Sequence, residues 1–236
     1  MKFSFIIPAF NEEEFISNCI KSIKNQEGDD FEIIVVDNGS SDKTAEIAKN
    51  LGVALVSEEK KGISNARNFG VMKAKGEFLC FVDADGTLSN NWLSEAREII
   101  SKNNVKALAG LNIFVNNNLL KKFYFNIYTF FAYLALILYE KIFHKLFLPG
   151  NNLVIKRSIF LKLGGFEPYI AEDIFLSKKF WKLKNRKSVF NPKMIIFYSS
   201  RRFEREGFLK TILFWIRASF YRIPGDNYSI RKSKII

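Results

Sequence analysis

Asp83-Ala84-Asp85 places two carboxylates two residues apart, directly behind the apolar run 78–82. Two hard oxygen ligands leaving a buried strand together reach one divalent cation, and Mg²⁺ or Mn²⁺ held this way keeps phosphate or water in its other positions. Such an ion bridges the two phosphates of a nucleotide and neutralises the charge that develops as they leave. The same tripeptide also fits a turn or a helix cap, and the strand before it favours the metal reading. A further acid, Asp37, ends the apolar run 33–36, where a carboxylate can accept from a base N–H or a ribose hydroxyl. Gly39 and Ser40 then permit close backbone approach, although 38–42 also reads as a turn followed by an N-cap. Asn65 and Arg67 sit at the start of a helix, where Arg67 can orient Asp83 or contact a nucleotide. Lys60 and Lys61 beside them read as surface charge.

Other chemistries are excluded by scarcity. The 236 residues contain one histidine, His144, and two cysteines, Cys19 and Cys80. That leaves no HExxH zinc site, no triad needing a second histidine, no CxxC pair and no disulfide framework. A reduced, cytoplasmic setting is expected. Neither a Walker A pattern nor GxGxxG occurs, so the usual glycine-rich phosphate cradles are missing. No cleavable signal is read at the N-terminus, because the run 3–10 is short, contains Pro8 and ends in acids.

The elements that must position these residues follow from apolar spacing. A hydrophobic fraction of 48% over 236 residues supplies a core for one domain of ordinary size. Strands are expected at 2–7, 31–36, 54–56 and 77–82, with helices at about 12–25, 42–50, 63–74 and 90–102 between them. The alternation predicts an α/β fold: a Rossmann-like, doubly wound, mostly parallel sheet flanked by helices. Ligands of open parallel sheets bind at the carboxyl ends of strands, which is where Pro8-Ala9-Phe10-Asn11-Glu12, 37–42 and 83–86 fall. Further strands are expected at about 107–114, 153–156 and 194–199, and helices near 158–163, 172–183 and 208–221. The tail 229–236 reads as disordered.

Charge divides the chain. Residues 1–120 hold 13 Lys and Arg against 17 Asp and Glu, a net −4, whereas 121–236 hold 23 against 7, a net +16. The basic half adjoins residues 123–139, which carry no charge, and extends as an apolar helical segment over 119–148. This is short of a comfortable membrane span of about 20 residues and carries Asn126, Thr129 and tyrosines. A helix lying in a membrane interface, with Lys121, Lys122, Lys141 and Lys145 at its flanks, suits the composition better than a span. A helix buried in the core is the alternative.

Four segments in order resemble the family 2 glycosyltransferases: Phe5-Ile6-Ile7-Pro8-Ala9-Phe10-Asn11-Glu12, 34–42, Gly62-Ile63-Ser64-Asn65-Ala66-Arg67-Asn68, and Phe81-Val82-Asp83-Ala84-Asp85. The resemblance continues less tightly through Gly150-Asn151-Asn152 and Gly164-Gly165-Phe166 to Glu172-Asp173, and fades after about 205. It implies the GT-A fold, a nucleotide-diphosphate sugar donor, Mg²⁺ or Mn²⁺, and transfer with inversion at the anomeric carbon. It implies that Pro8, Phe10, Glu12 and Asp37 border the nucleoside, that Asp83 and Asp85 handle metal and diphosphate, and that Asp173 is the base for an acceptor hydroxyl. Ala9, Asn11, Gly39, Asn65, Arg67 and Ala84 complete the expected donor site. Glu172, Arg201 and Arg202 are expected to meet the acceptor or a phosphate, although no tryptophan follows the two arginines and the third metal ligand is not evident.

The expected division is a nucleotide-sugar half at 1–115, an acceptor half at 116–205 and a basic C-terminal helix and tail at 206–236, within a single compact domain. A lipid-linked or glycan acceptor at the inner face of the cell membrane, reached through an anionic membrane surface, fits the basic apolar half. The alternatives are a polyprenyl-phosphate sugar synthase, whose ionised acceptor needs no base; a nucleotidyltransferase, disfavoured by the missing glycine-rich loop; and a non-catalytic basic protein of membranes or RNA. No nucleic-acid partner is expected, because no RNP-like aromatic motif accompanies the charge.

Overall fold

The computed structural model describes residues 2–116 and 118–225. In chain order the elements are β1 (Phe3–Ala9), α1 (Ile16–Lys24), β2 (Phe31–Asp37), α2 (Thr44–Asn50), β3 (Ala54–Ser57), α3 (Ile63–Lys73), β4 (Phe78–Val82), β5 (Gly86–Leu88), α4 (Trp92–Asn103) and β6 (Ala107–Val115). They continue with α5 (Leu119–Phe143), β7 (Asn152–Lys156), α6 (Arg157–Lys162), α7 (Glu172–Trp181), β8 (Ser188–Ser199), α8 (Arg201–Glu206) and α9 (Phe208–Phe220).

The strands make one sheet in the order β3-β2-β1-β4-β7-β6-β8-β5. Its first half, β3 to β4, is parallel throughout, while β7 runs antiparallel between β4 and β6 and turns the sheet toward the second half. Side chains alternate across a strand, and in β1 both faces are apolar. Phe3, Phe5 and Ile7 face a core completed by Ile16, Ile20 and Ile23 of α1 and by Trp92 and Leu93 of α4. Ile6 faces the opposite core with Ala66, Phe160, Leu176 and Phe180, from α3, α6 and α7. Coverage on both faces is why β1 and β4 read as continuous apolar runs and why their polar continuations, 10–12 and 83–85, emerge together at one rim.

The differences from the sequence reading lie mostly in short or interrupted elements. Helix α1 begins at Ile16 rather than near Glu12, because the carbonyl of Glu12 first closes a turn by accepting from Phe15 and Ile16. Strand β5 has three residues and pairs antiparallel with β8, too short to show a period. Strand β8 starts at Ser188, six residues before the expected 194, because Asn191-Pro192 reads as a breaker. There the β6–β8 register slips between Gly110 and Leu111, and the slip absorbs the proline. A β-carbon on Gly110 would lie 2.2 Å from the carbonyl oxygen of Met194, so the bulge needs glycine. Arg201 and Arg202 open the short helix α8, which was not foreseen. The tail 229–236 lies outside the described residues.

Helix α5 is attached side-on. Phe125 stacks on Phe203 with ring centroids 5.3 Å apart, Tyr133 stacks on Phe190 at 5.4 Å, and Tyr139 reaches Trp181 at 6.1 Å. The Tyr133 hydroxyl accepts from the Asn112 N–H at 2.9 Å and donates to the Gly110 carbonyl at 3.3 Å, pinning the helix at the bulge. Its opposite face is open: Phe123, Phe130, Phe131 and Ile142 are each more than 60% exposed. The helix is therefore not the core helix weighed as an alternative.

Candidate active site

One cavity of about 580 Å³ lies across the carboxyl rim of β1 and β4, between the sheet, the start of α7 and the inner face of α5. Pro8, Ala9, Phe10, Asn11 and Glu12 line one end, Asp83, Ala84 and Asp85 the floor, and Arg67, Glu172, Asp173 and Arg201 the walls.

Arg67 is the joint of this site. It is 2% exposed, and its guanidinium donates to Asp83 at 2.6 Å and to Glu172, while lying 5.3 Å from the Phe166 ring centre. Three separate segments thus meet on one cation: α3, the tip of β4 and the first turn of α7. A β-carbon on Gly150 would lie 2.8 Å from Nη1 of Arg67, so glycine there leaves room for the guanidinium. A buried cation is tolerable only with such partners, and removing either side strands the other.

Arg201 makes the second joint. It donates to Glu12 and, at 3.2 Å, to Asp85, with its guanidinium 4.2 Å from the Phe15 ring centre. The two carboxylates expected to share an ion are therefore each steadied by a different arginine. Asp83 is 29% and Asp85 22% exposed toward the cavity. Among the described residues no group of three or more His, Cys, Asp or Glu side chains stands close enough to cage a metal. This donor set fits an ion held by two carboxylates and completed by phosphate and water, not an all-protein cage.

Asp173 faces the cavity from the first turn of α7. It accepts from the Ile174 N–H at 2.9 Å and, more distantly, from the Gly150 N–H at 3.4 Å. Although only half-buried by accessible area, it is ringed by protein atoms. Burial, with the neighbouring charge of Glu172, pushes its carboxyl up to about 7, against the opposing pull of Arg67 and the two N–H groups. A carboxyl poised there can take a proton near neutrality.

Not every expected residue reaches the cavity. Asp37 is 8% exposed and accepts from the Ser40 N–H, holding the turn at the end of β2, and neither it nor Gly39 is part of the lining. Asn65 turns back to donate to the Lys61 carbonyl at 2.8 Å and also stands outside. The side chain of Arg202 lies outside the described residues. Lys61, taken as surface charge, instead donates to the carbonyls of Asn38 at 2.7 Å and Gly39 at 3.3 Å, with its ammonium 5.1 Å from the Phe10 ring centre. The cause is Gly39, whose φ of +78° turns those carbonyls toward the loop before α3.

Three groups escaped the sequence reading. Asn38 lines the cavity and ties the loop before α3 with bonds to the carbonyls of Glu58 and Lys60 and from the Gly62 N–H, so it sets where Arg67 stands. Asn152, fully buried, accepts from the Trp92 indole and donates to the carbonyls of Leu111 and Met194, joining β7 to β6 and β8. Tyr198 lies beneath Asp83 and Asp85 and donates to the Asn151 carbonyl. Polar residues interrupting buried strands were the available signal for the last two. Cys19 also lies under the rim, where burial first, then Asp85, Asp83 and Glu12, pushes its thiol far up and leaves it inert.

The model for "Glycosyl transferase family 2" matches residues 4–164. Glycosyltransferase AglE of Haloferax volcanii is 36% identical over 115 residues, covering 45% of this chain and 38% of that protein. The poly(ribitol-phosphate) beta-N-acetylglucosaminyltransferase TarS of Staphylococcus aureus is 33% identical over 116 residues, 46% of this chain and 20% of that one. The GalNAc(5)-diNAcBac-PP-undecaprenol beta-1,3-glucosyltransferase of Campylobacter jejuni is 34% identical over 129 residues, 52% of this chain and 42% of that one. The chain thus spans well under half the length of these curated relatives. Among solved structures, S. aureus TarS 1–349 in complex with UDP-GlcNAc superposes with a TM-score of 0.67 at 24% identity, over 85% of this chain and 59% of that one. The mannosyltransferase PcManGT of Pyrobaculum calidifontis, in complex with GDP-Man and Mn²⁺, gives 0.64 at 19%, over 92% and 64%. At these identities the likeness establishes the fold, which is GT-A.

Proposed function

Because the chain belongs to glycosyl transferase family 2, we propose that it transfers a sugar from a nucleotide-diphosphate donor to an acceptor hydroxyl, with inversion. The observation that carries this reading is the shared cavity: the rim acids of β1 and β4 and the half-buried Asp173 line one space, and Arg67 joins Asp83 of that rim to Glu172 beside Asp173.

In this reading the donor half is 1–115, the acceptor half 116–205, and 206–236 a basic appendage. The nucleoside lies at Pro8 to Glu12, bordered by Asn38. The diphosphate lies over Asp83, Ala84 and Asp85, with Arg201 close enough to exchange a carboxylate partner for a phosphate oxygen. Asp83 and Asp85 would hold Mg²⁺ or Mn²⁺. Bound there, the ion supplies charge neutralisation for the departing diphosphate. Asp173 accepts the proton of the acceptor hydroxyl while that oxygen forms its bond to the anomeric carbon and the bond to the diphosphate oxygen breaks. The electron pair of the broken bond leaves with the nucleoside diphosphate, and attack from the opposite face inverts the centre.

The basic half and the open face of α5 support a second element of the proposal, peripheral attachment to an anionic membrane surface on the cytoplasmic side. Among the described residues one helical stretch, Phe123–Phe143 within α5, is long and apolar enough to cross a membrane by length and composition. Its side-on attachment along β6 favours lying in the interface, with the exposed aromatic face toward lipid. The acceptor is then lipid-linked or a glycan held near the membrane.

The test is a panel of labelled UDP- and GDP-hexoses with MnCl₂, with and without a membrane lipid extract. The expected result is label in the lipid phase and release of nucleoside diphosphate with one donor. Release of pyrophosphate would instead indicate nucleotidyl transfer.

A further inference from the structure

Beyond α9 the chain returns to the cavity. The Ile223 carbonyl accepts from the Ile170 N–H at 2.8 Å, and the Gly225 N–H donates to the Pro168 carbonyl at 3.0 Å. With Tyr169 opposite Pro224, residues 223–225 and 168–170 make a short antiparallel pair. Tyr169, Ile170, Ala171 and Gly225 line the cavity, so this pair is a piece of its wall. Glu172 and Asp173 follow it directly in the chain.

The loop so held, 166–171, is constrained along its whole length. At its start the Phe166 N–H donates to the Asn68 side-chain oxygen at 3.0 Å and the Phe166 carbonyl accepts from the Asn68 amide at 2.8 Å, which fastens that end to α3. At its far end Ala171 caps α7 with a φ of +63°, a left-handed conformation that a β-carbon disfavours. Such a residue persists only where its surroundings over-determine it. Arg222 supplies the outer grip. Its guanidinium lies 5.4 Å from the Tyr169 ring centre and 5.7 Å from that of Phe175, and those two rings meet edge to face at 5.9 Å. The segment therefore takes hold on both sides of Asp173, of the loop at Tyr169 and of α7 at Phe175. Arg222 also faces Glu167: Oε2 of that carboxylate is buried, makes no hydrogen bond and stands 3.6 Å from Nη2, while Lys179 holds Oε1 at 2.9 Å.

We propose that residues 222–225 are a strap that positions Asp173. By pairing with 168–170 and gripping Tyr169 and Phe175, the strap keeps Ala171 left-handed and so fixes the direction in which the first turn of α7 presents its carboxyl to the cavity. This rests on the glycosyl-transfer reading, in which Asp173 takes the acceptor proton, and adds a segment far along the chain on which that proton transfer depends. When the strap is released, Ala171 relaxes to negative φ and the start of α7 turns with it. A displacement of about 1 Å between reacting groups is enough to cost about 10²-fold in rate. The strand tips of β1 and β4 stand on the sheet and keep their places without the strap.

Hydrogen exchange and transfer kinetics of the full chain test this. Arg222→Ala with Gly225→Pro removes the grip and one bond of the pair, since proline has no N–H to give the Pro168 carbonyl. The amides of Ile170 and Ile174 are expected to exchange about tenfold faster or more, while those of β1 and β4 stay as in wild type. The kcat for transfer from the UDP- or GDP-hexose that serves as donor falls about 10- to 100-fold, with donor KM and calorimetric binding of UDP or GDP within about twofold. Adding Ala171→Gly, which adopts the left-handed conformation without a β-carbon, restores about fivefold or more of the lost kcat. A strap that merely stabilised the fold would give no such rescue. Arg222→Ala alone cuts an exposed side chain and leaves both backbone bonds; it lowers kcat about threefold and decides the matter if the double variant does not fold. Unchanged exchange at Ile170 and Ile174 overturns the proposal. So does faster exchange with kcat within about twofold of wild type, a parallel loss of kcat and nucleotide binding, or a kcat that Ala171→Gly does not restore. A wild-type chain that transfers sugar from no donor, while exchange at Ile170 still depends on the strap, would remove the glycosyl-transfer reading and leave the hold on the loop standing.

Discussion

The sides of the cavity that we assign to donor and acceptor are built on opposite principles. On the donor side, adjacent parallel strands are buried on both faces, and the course of each strand delivers its polar tip to the rim, where Arg67 and Arg201 only steady the carboxylates. On the acceptor side the position of a group is set by partners from other segments: Asp173 stands against the Gly150 N–H, and Tyr133 is fixed at the β6 bulge.

The sharpest break in that contrast is Arg67, which belongs to both sides. Arg67→Met leaves Asp83 and Glu172 without their cation, and a loss of about 3–5 kcal/mol in urea unfolding is expected, together with loss of sugar transfer. Arg67→Lys keeps the charge but has no fork to span two carboxylates, and should recover only part of that stability. Next in size is Gly110→Ala at the β6 bulge. Its β-carbon meets the Met194 carbonyl at 2.2 Å, a backbone contact that cannot swing away. A cost of about 1–3 kcal/mol is expected, with acceptor affinity falling more than donor affinity because the bulge also anchors Tyr133. Tyr133→Phe is milder, about 0.5–1.5 kcal/mol for the lost hydroxyl bonds, and thermal unfolding with and without nucleoside diphosphate separates the two sides. Smallest for stability is Phe130→Ser with Phe131→Ser on the exposed face, within about 0.5 kcal/mol. The same pair should reduce retention on anionic vesicles severalfold in a flotation assay, and unchanged retention would remove the membrane role given to that face.

The contrast also governs what the sequence could reveal. The strand tips of β1 and β4 were legible because burial on both faces produces unbroken apolar runs whose ends are abrupt, so 8–12 and 83–85 stood out. At Asp37 the strand pattern does not separate ligand contact from a carboxylate that holds its own turn, and the bond from the Ser40 N–H shows the second role. Lys61 and Asn38 were underread, because their partners are backbone carbonyls and a backbone N–H that no side-chain pattern announces. Strand β5 and the first half of β8 were invisible for related reasons: one is shorter than a period, and the other runs through Asn191-Pro192 at a bulge that exists only because Gly110 lies opposite. The inner face of α5 was hidden by its outer face, since a helix that is apolar all round does not reveal which side meets protein.

The pH dependence of transfer in wild type and Asp173→Asn bears on the whole account. The Asp173 carboxyl, raised to about 7, is neutral below that pH and able to accept a proton above it. Wild-type turnover should therefore climb about tenfold per pH unit below 7 and level off above. Asp173→Asn should bind the donor within twofold of wild type, as read by calorimetry, yet transfer sugar about 10²–10⁴-fold more slowly at every pH. A wild-type profile that stays flat from about pH 5 to 9, or an Asp173→Asn enzyme that transfers at the wild-type rate, would contradict it.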